Sequence, residues 1–132
     1  MGQLYRTTKT TVSLINYHFV FCPRYRRKVL VNQVEQQFKQ LVQEMCTEHD
    51  WILISMDVMP DHVHIFLNAL PTDSPTEIVA RLKGVSSRRL REQFKHLMHL
   101  PSLWTRSYFV STEGDISSET IKRYVEEQKK RG

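Results

Sequence analysis

His62 and His64 flank a single valine, and much further along the chain Tyr124 and Gln128 stand four residues apart. On a strand rising ~3.3 Å per residue alternate side chains share a face, so two imidazoles with Cα atoms roughly 6 to 7 Å apart can converge on one cation. On a helix, residues four apart lie one turn above another, which puts an amide ligand beside a phenol. Together the four side chains make a metal-assisted tyrosine nucleophile. A phenol of pKa ~10 is about one part in a thousand ionised at pH 7, a deficit of roughly 4 kcal/mol if the phenolate attacks, so activation is needed. A divalent ion held by two imidazoles and an amide oxygen keeps open positions for phosphate oxygens. Mixed nitrogen and oxygen ligation fits Mn²⁺, and Mg²⁺ is feasible where waters and phosphate oxygens complete an octahedron.

Neither pair is decisive alone. With six histidines in 132 residues, a His-x-His step arises by chance in roughly one chain in four, and Tyr-x-x-x-Gln is about as common. The competing readings are packed or solvated histidines on a strand, and Tyr124 at the core boundary of an amphipathic helix. Context favours chemistry. Val63, Ile65, Leu67 and Ala69 take one face of their strand as core, which leaves His62, His64, Phe66 and Asn68 on the other. From Thr120 onward Ile121 and Val125 are the only aliphatic residues, so the last helix is expected to bury poorly and leave Tyr124 free to act.

Two basic clusters could meet phosphates. Arg24, Tyr25, Arg26, Arg27 and Lys28 form one, with Tyr25 placed to stack on an unpaired base. Arg81, Lys83, Arg88, Arg89, Arg91 and Lys95 form the other on a long helix, where Gly84 could admit a close backbone. A solvated helix face is the bland alternative. His18, His49, His96 and His99 are expected to be structural or solvent-facing.

The totals bound these readings. A chain of 132 residues is one domain, expected to span 1–132. Nineteen Lys and Arg against fourteen Asp and Glu give a net charge of +5, which favours an anionic partner, nucleic acid first. Cys22 and Cys46 lie in apolar runs and form no ligand spacing, as expected of reduced thiols in the cytoplasm. Residues 1–11 are polar without a signal-peptide core, and no stretch approaches the ~20 apolar residues of a membrane span.

The elements follow from patterning. Leu14 to Cys22 is aromatic and branched and is closed by Pro23, a strand. Asn32 with Glu35 resembles a capping box before the helical stripe Val34, Phe38, Leu41, Val42, Met45 and Cys46. Trp51 to Val58, with Ile52, Ile54, Met56 and Val58 on one face, turns at Met59-Pro60-Asp61 into His62 to Ala69, a hairpin. Ser74-Pro75-Thr76-Glu77 starts a long helix with Ile78, Leu82, Val85, Leu90, Phe94 and Leu97 on its buried side. Ser107 to Ser111 is a short strand, and Ser117, Ser118 and Glu119 cap a last helix from about Thr120. The order β-α-β-β-α-β-α predicts an α+β, ferredoxin-like (RRM-like) antiparallel sheet with helices on one face and an additional C-terminal helix carrying the tyrosine.

Read together, Tyr17-His18-Phe19-Val20-Phe21, the run Arg24 to Leu30, Met59-Pro60-Asp61-His62-Val63-His64 and Ser117 to Gln128 resemble the single-tyrosine HUH transposases of the smallest bacterial and archaeal insertion sequences. The resemblance spans nearly the whole chain. It implies that His62, His64 and Gln128 bind the metal and that Tyr124 attacks a scissile phosphate of single-stranded DNA, leaving a 5′-phosphotyrosine and a free 3′-OH. It further implies recognition of subterminal hairpins, a bacterial or archaeal cytoplasm, and a homodimer whose active sites pair one subunit's histidines with the other's tyrosine helix. Thr112-Glu113-Gly114-Asp115 is more acidic than the glycine-rich hinge expected before that helix, and four residues past Gln128 leave little tail to anchor it. The alternative is a catalytically silent, RRM-like nucleic-acid-binding module. A replication initiator or relaxase needs further domains, and a two-histidine phosphodiesterase needs a second His-x-Ser or His-x-Thr that is absent.

Overall fold

The computed structural model describes residues 5–112 and 114–131. Met1 to Leu4 of the expected polar leader, Glu113 of the acidic hinge, Gly132 and the side chain of Lys130 lie outside what it describes. The elements are β1 (Arg6–Thr7), β2 (Val12–Ser13), β3 (Asn16–Phe21), α1 (Asn32–Glu48), β4 (Ile52–Met59), β5 (His62–Asn68), α2 (Pro75–Gln93), β6 (Phe109–Ser111) and α3 (Ser118–Glu127).

Strands β4, β5, β3 and β6 form one antiparallel sheet in that spatial order, the ferredoxin-like arrangement of two interleaved β-α-β units. β3 is central and buried on both faces, which is why its sequence is a near-continuous apolar run rather than an alternating one. Phe19 and Phe21 point into the main core with Phe38, Leu41, Ile65, Leu67, Ile78 and Leu82, under α1 and α2. Each such side chain contributes roughly 2 to 3 kcal/mol by leaving water, so this layer dominates the fold. On the other face, Val20 and Cys22 meet Val125, with Phe109, Ile121 and Tyr124 packed around them. The last helix therefore buries better than its two aliphatic residues suggest, because the strands present a small apolar patch of matching size.

Ser74 caps α2, its hydroxyl accepting from the Glu77 N–H at 3.1 Å, and Ser117 caps α3 by accepting from Thr120 N–H at 3.1 Å. Three local expectations change. Val31, not Asn32, is the N-cap of α1 and offers no side-chain acceptor; Asn32 enters the helix at φ 53°, a left-handed conformation asparagine tolerates well. In β4 the register shifts between Leu53 and Ser55, so Leu53, Met56 and Val58 pack on the core, while Ile52 and Ile54 are exposed. A bulge adds one residue and flips the side-chain parity, which alternation alone cannot reveal. Finally, α2 ends at Gln93, and Lys95 belongs to a separate 3-10 turn, Lys95–Leu97.

Two features escaped sequence patterning. The leader folds back as the small β1–β2 hairpin, where Arg6 Nε donates to Asn68 Oδ1. Leu97 is buried as expected, though in the 3-10 turn rather than in α2, whereas Leu100, Leu103 and Trp104 in the irregular stretch after it are core residues that no periodicity marks. The segment after α3 is held to the first basic cluster, where Tyr25 N–H donates to the Arg131 carbonyl at 2.7 Å.

Candidate active site

β5 places His62 and His64 on the sheet face opposite the core, where Val63, Ile65 and Leu67 are fully buried. His64 lies directly across from Val20 of β3, and Val20 is part of the patch on which α3 rests. Alternation thus puts the two histidines and the tyrosine helix on one side of one sheet.

His62 is oriented by its neighbour: Nδ1 lies 2.9 Å from Asp61 Oδ1. The other Asp61 oxygen accepts from Arg26 Nη2 at 2.8 Å and Nε at 3.1 Å. Arg26 Nη1 in turn stands 3.5 Å from Glu126 Oε2 on α3. A line of charge therefore runs from the tyrosine helix through Arg26 and Asp61 to His62. Burial works to raise the Asp61 pKa, but the hydrogen bonds from His62 and Arg26 outweigh it and hold the carboxyl below its ordinary value. Arg26 is raised in return, chiefly by its hydrogen bond to Asp61.

His64 has a different partner. Its Nε2 lies 2.9 Å from His18 Nδ1, and His18 Nε2 lies 3.3 Å from the Gly114 carbonyl oxygen. A carbonyl only accepts, so His18 Nε2 carries a proton; with a neutral ring, His18 Nδ1 accepts from His64 Nε2–H. His18 is buried and stacks on Phe66, ring centroids 3.8 Å apart and planes within 4°. Burial, followed by the neighbouring His18, lowers the His64 pKa and keeps that imidazole neutral. Assigned no site role from sequence, His18 is the third imidazole here; its signal was its alternation with Val20 on β3.

Tyr124 and Gln128 meet at Ser107. The Ser107 hydroxyl donates to Gln128 Oε1 at 2.7 Å and stands 2.9 Å from Tyr124 Oη. Since the single Ser107 proton goes to the amide oxygen, Tyr124 O–H is the donor to Ser107 Oγ. Burial raises the Tyr124 pKa, partly offset by Ser107. Gln128 is buried, and its Nε2 also reaches the Tyr124 carbonyl at 3.4 Å. The pair is adjacent, as helical spacing requires, but is held by Ser107 rather than by an imidazole.

His62 fits a divalent cation, because the carboxylate on Nδ1 fixes the ring and leaves Nε2 for a metal; His64 fits through Nε2 only if that nitrogen gives up its contact with His18. Gln128 fits only if its oxygen leaves Ser107. Among the described residues no three His, Cys, Asp or Glu side chains cluster tightly enough to hold a metal by themselves.

The basic residues divide sharply. Arg27, Lys28, Arg81 and Arg88 are exposed. Arg26 is engaged by Asp61 and Glu126. Lys83 donates to the carbonyls of Thr105 and Ser107, and burial depresses its pKa to about 8. Tyr25 is half-exposed between Arg24 and Arg27, whose guanidinium carbons lie 5.9 and 5.5 Å from its ring centroid.

Comparison with known proteins gives a consistent result. Residues 11–128 match the family described as IS200-like transposases. The chain is 34% identical over 117 residues to the ISDra2 transposase TnpA of Deinococcus radiodurans, covering 86% of this chain and 84% of that protein. It is 30% identical over 119 residues to the transposase for insertion sequence element IS200 of Salmonella typhimurium, covering 86% and 78% respectively. A crystal structure from Deinococcus radiodurans R1, provisionally described as that of a transposase, superposes with a TM-score of 0.86 at 32% identity, over 93% of this chain and 97% of that one. The fold is shared more distantly with a REP-associated tyrosine transposase bound to a REP hairpin, TM-score 0.54 at 16% identity, over 95% of this chain and 68% of that one.

Proposed function

Because the chain belongs to the IS200-like transposases, the single-tyrosine HUH family its motifs resemble, we propose that it cuts and rejoins single-stranded DNA at insertion-sequence ends through a 5′-phosphotyrosine on Tyr124. Tyr124 Oη attacks the scissile phosphorus; an O–P bond forms as the bond to the 3′ oxygen breaks. The phenol gives up its proton and the departing oxygen gains one, leaving a free 3′-OH. Joining runs in reverse, with a 3′-OH attacking the phosphotyrosine and Tyr124 leaving. Each step exchanges one phosphoester for another, so no nucleotide cofactor is consumed.

His62, His64 and Gln128 would hold Mg²⁺ or Mn²⁺, which when bound supplies positive charge at the phosphate and orients the leaving oxygen. Asp61 keeps the His62 ring in the required tautomer and direction. Burial makes Tyr124 a poor acid, so its proton must be lost at the moment of attack, and Ser107 Oγ is the group in place to take the hydrogen bond. The observation that carries this reading is the packing of α3 on the histidine-bearing face, with Glu126, Arg26 and Asp61 linking the tyrosine helix to His62.

A fluorescent single-stranded hairpin substrate with Mg²⁺ or Mn²⁺ tests it. A covalent protein–DNA band should form and should vanish in Tyr124→Phe. No band with any end sequence would favour the non-catalytic RRM-like binding module. Hairpin recognition and a homodimer are part of the proposal; the REP-associated transposase of the same fold is a protein bound to a hairpin. In this chain α3 rests on its own sheet, so active sites shared between subunits require the helix to exchange. Mixing Tyr124→Phe with His62→Ala protein restores cleavage if sites are shared and does not if each chain is complete.

A further inference from the structure

Three surface depressions line up between α2 and the nucleophile. The first, about 490 Å³, is lined by Arg88 and Arg91 of α2 and includes Gly84 and Ser87. The second, about 480 Å³, shares Gly84 and Ser87 and adds Arg24 and Arg106. The third, about 340 Å³, shares Thr105 and Arg106 and ends on Ser107, whose hydroxyl bonds to Tyr124. We propose that they form one track for the phosphodiester backbone of a single DNA strand, entering along α2, crossing the sheet edge beside β6, and delivering a phosphate to Tyr124.

This deepens the proposed reaction and rests on single-stranded DNA being the substrate. Two basic clusters that are far apart in sequence, around Arg24 and around Arg88, become walls of one groove. The Nε atoms of Arg24 and Arg91 are buried without a hydrogen-bond partner among the described residues. These Nε atoms are closed off by protein, so a phosphate in the groove would be met by the terminal nitrogens of the two guanidiniums. Gly84 strengthens the case. Glycine weakens a helix interior, yet a Cβ at this position would meet nothing within 4 Å, so no neighbouring protein atom demands it. It leaves the bend of the groove open. Tyr25 beside Arg24 offers an unpaired base a stacking surface at the margin, which a duplex with its bases paired would not use.

The test is equilibrium binding of a fluorescent single-stranded oligonucleotide to protein carrying Tyr124→Phe, so that chemistry plays no part. Gly84→Trp obstructs the track from an exposed helical position and is expected to weaken binding about tenfold with an unchanged or higher melting temperature. Arg24→Ala and Arg91→Ala should each reduce the slope of log affinity against log salt by about 0.7, one phosphate contact apiece on a single strand. Wild-type affinity in Gly84→Trp, unaltered salt slopes, or tighter binding of the same sequence as RNA would each overturn the assignment. If the wild-type chain forms no covalent adduct while binding stays sensitive to Gly84→Trp, the track survives and the tyrosine chemistry does not; an adduct formed normally by Gly84→Trp protein carrying Tyr124 gives the opposite result.

Discussion

His18 Nδ1 lies 2.9 Å from His64 Nε2, so a residue of the central strand engages one of the two ring nitrogens that His64 could offer to the proposed metal. Burial is the larger cause of the lowered His64 pKa and His18 the next. The ring should titrate below its ordinary value of 6.5 when followed by NMR. Replacing His18 with Asn should move it upward without restoring it fully, since burial persists. The sign for stability is that the unfolded chain takes up this proton first. The His64 contribution is therefore intact above about 6.5 and declines as pH falls below that value.

Asp61→Asn should act at two places. Loss of the carboxylate behind His62 is expected to weaken Mn²⁺ binding by about 10- to 100-fold, read by calorimetry. It also removes the closer of the two carboxylates on the Arg26 guanidinium and leaves Glu126 at 3.5 Å, at a cost of roughly 1 to 3 kcal/mol, the range for a lost hydrogen bond to a charged group. Because the folded Asp61 pKa is depressed below 3.8, its stabilisation is complete above that pH and is lost as pH falls through the folded value. Denaturation midpoints of the wild type should therefore drop in acid more steeply than those of Asp61→Asn.

Ser107→Ala removes the hydroxyl that occupies Gln128 Oε1 and accepts from Tyr124. Stability should fall by about 1 kcal/mol, the value of an ordinary hydrogen bond. If Gln128 is the third ligand, freeing its oxygen should lower the Mn²⁺ concentration that gives half-maximal cleavage. An unchanged metal requirement would remove Gln128 from the ligand set.

Lys83 presents the reverse of a surface lysine. With a folded pKa of about 8 against 10.5 ordinarily, the folded chain releases this proton earlier than the unfolded one. Stability should consequently rise with pH between about 8 and 10.5. Lys83→Met should flatten that rise in denaturant titrations, and a persistent rise would assign it to another group.

Most of the architecture was legible because periodicity is a direct trace of burial. Phe38 and Leu41 on α1, Val63 and Ile65 on β5, and the Ser74 cap of α2 all lie where spacing puts them. What was hidden depends on partners distant in sequence. The β4 bulge is invisible to alternation, which presumes an unbroken ladder. Leu100, Leu103 and Trp104 are buried by what packs over them, not by a period of their own. At the site, the His62, His64 and Tyr124 residue types were readable, whereas their holders were not. Asp61 reads as a turn residue and Ser107 as the edge of a strand until the fold brings Arg26 to one and Gln128 to the other.

The bulge in β4 has a consequence for assembly. β4 is an outer strand of the sheet and displays Ile52 and Ile54 outward, the sort of greasy margin onto which a stray strand can dock. Interrupting the ladder at Leu53 and Ser55 spoils the regular row of amides and carbonyls such docking needs. The opposite margin, β6, is only three residues long. With one border kinked and the other three residues long, regular edge-to-edge stacking of copies into fibrils is disfavoured.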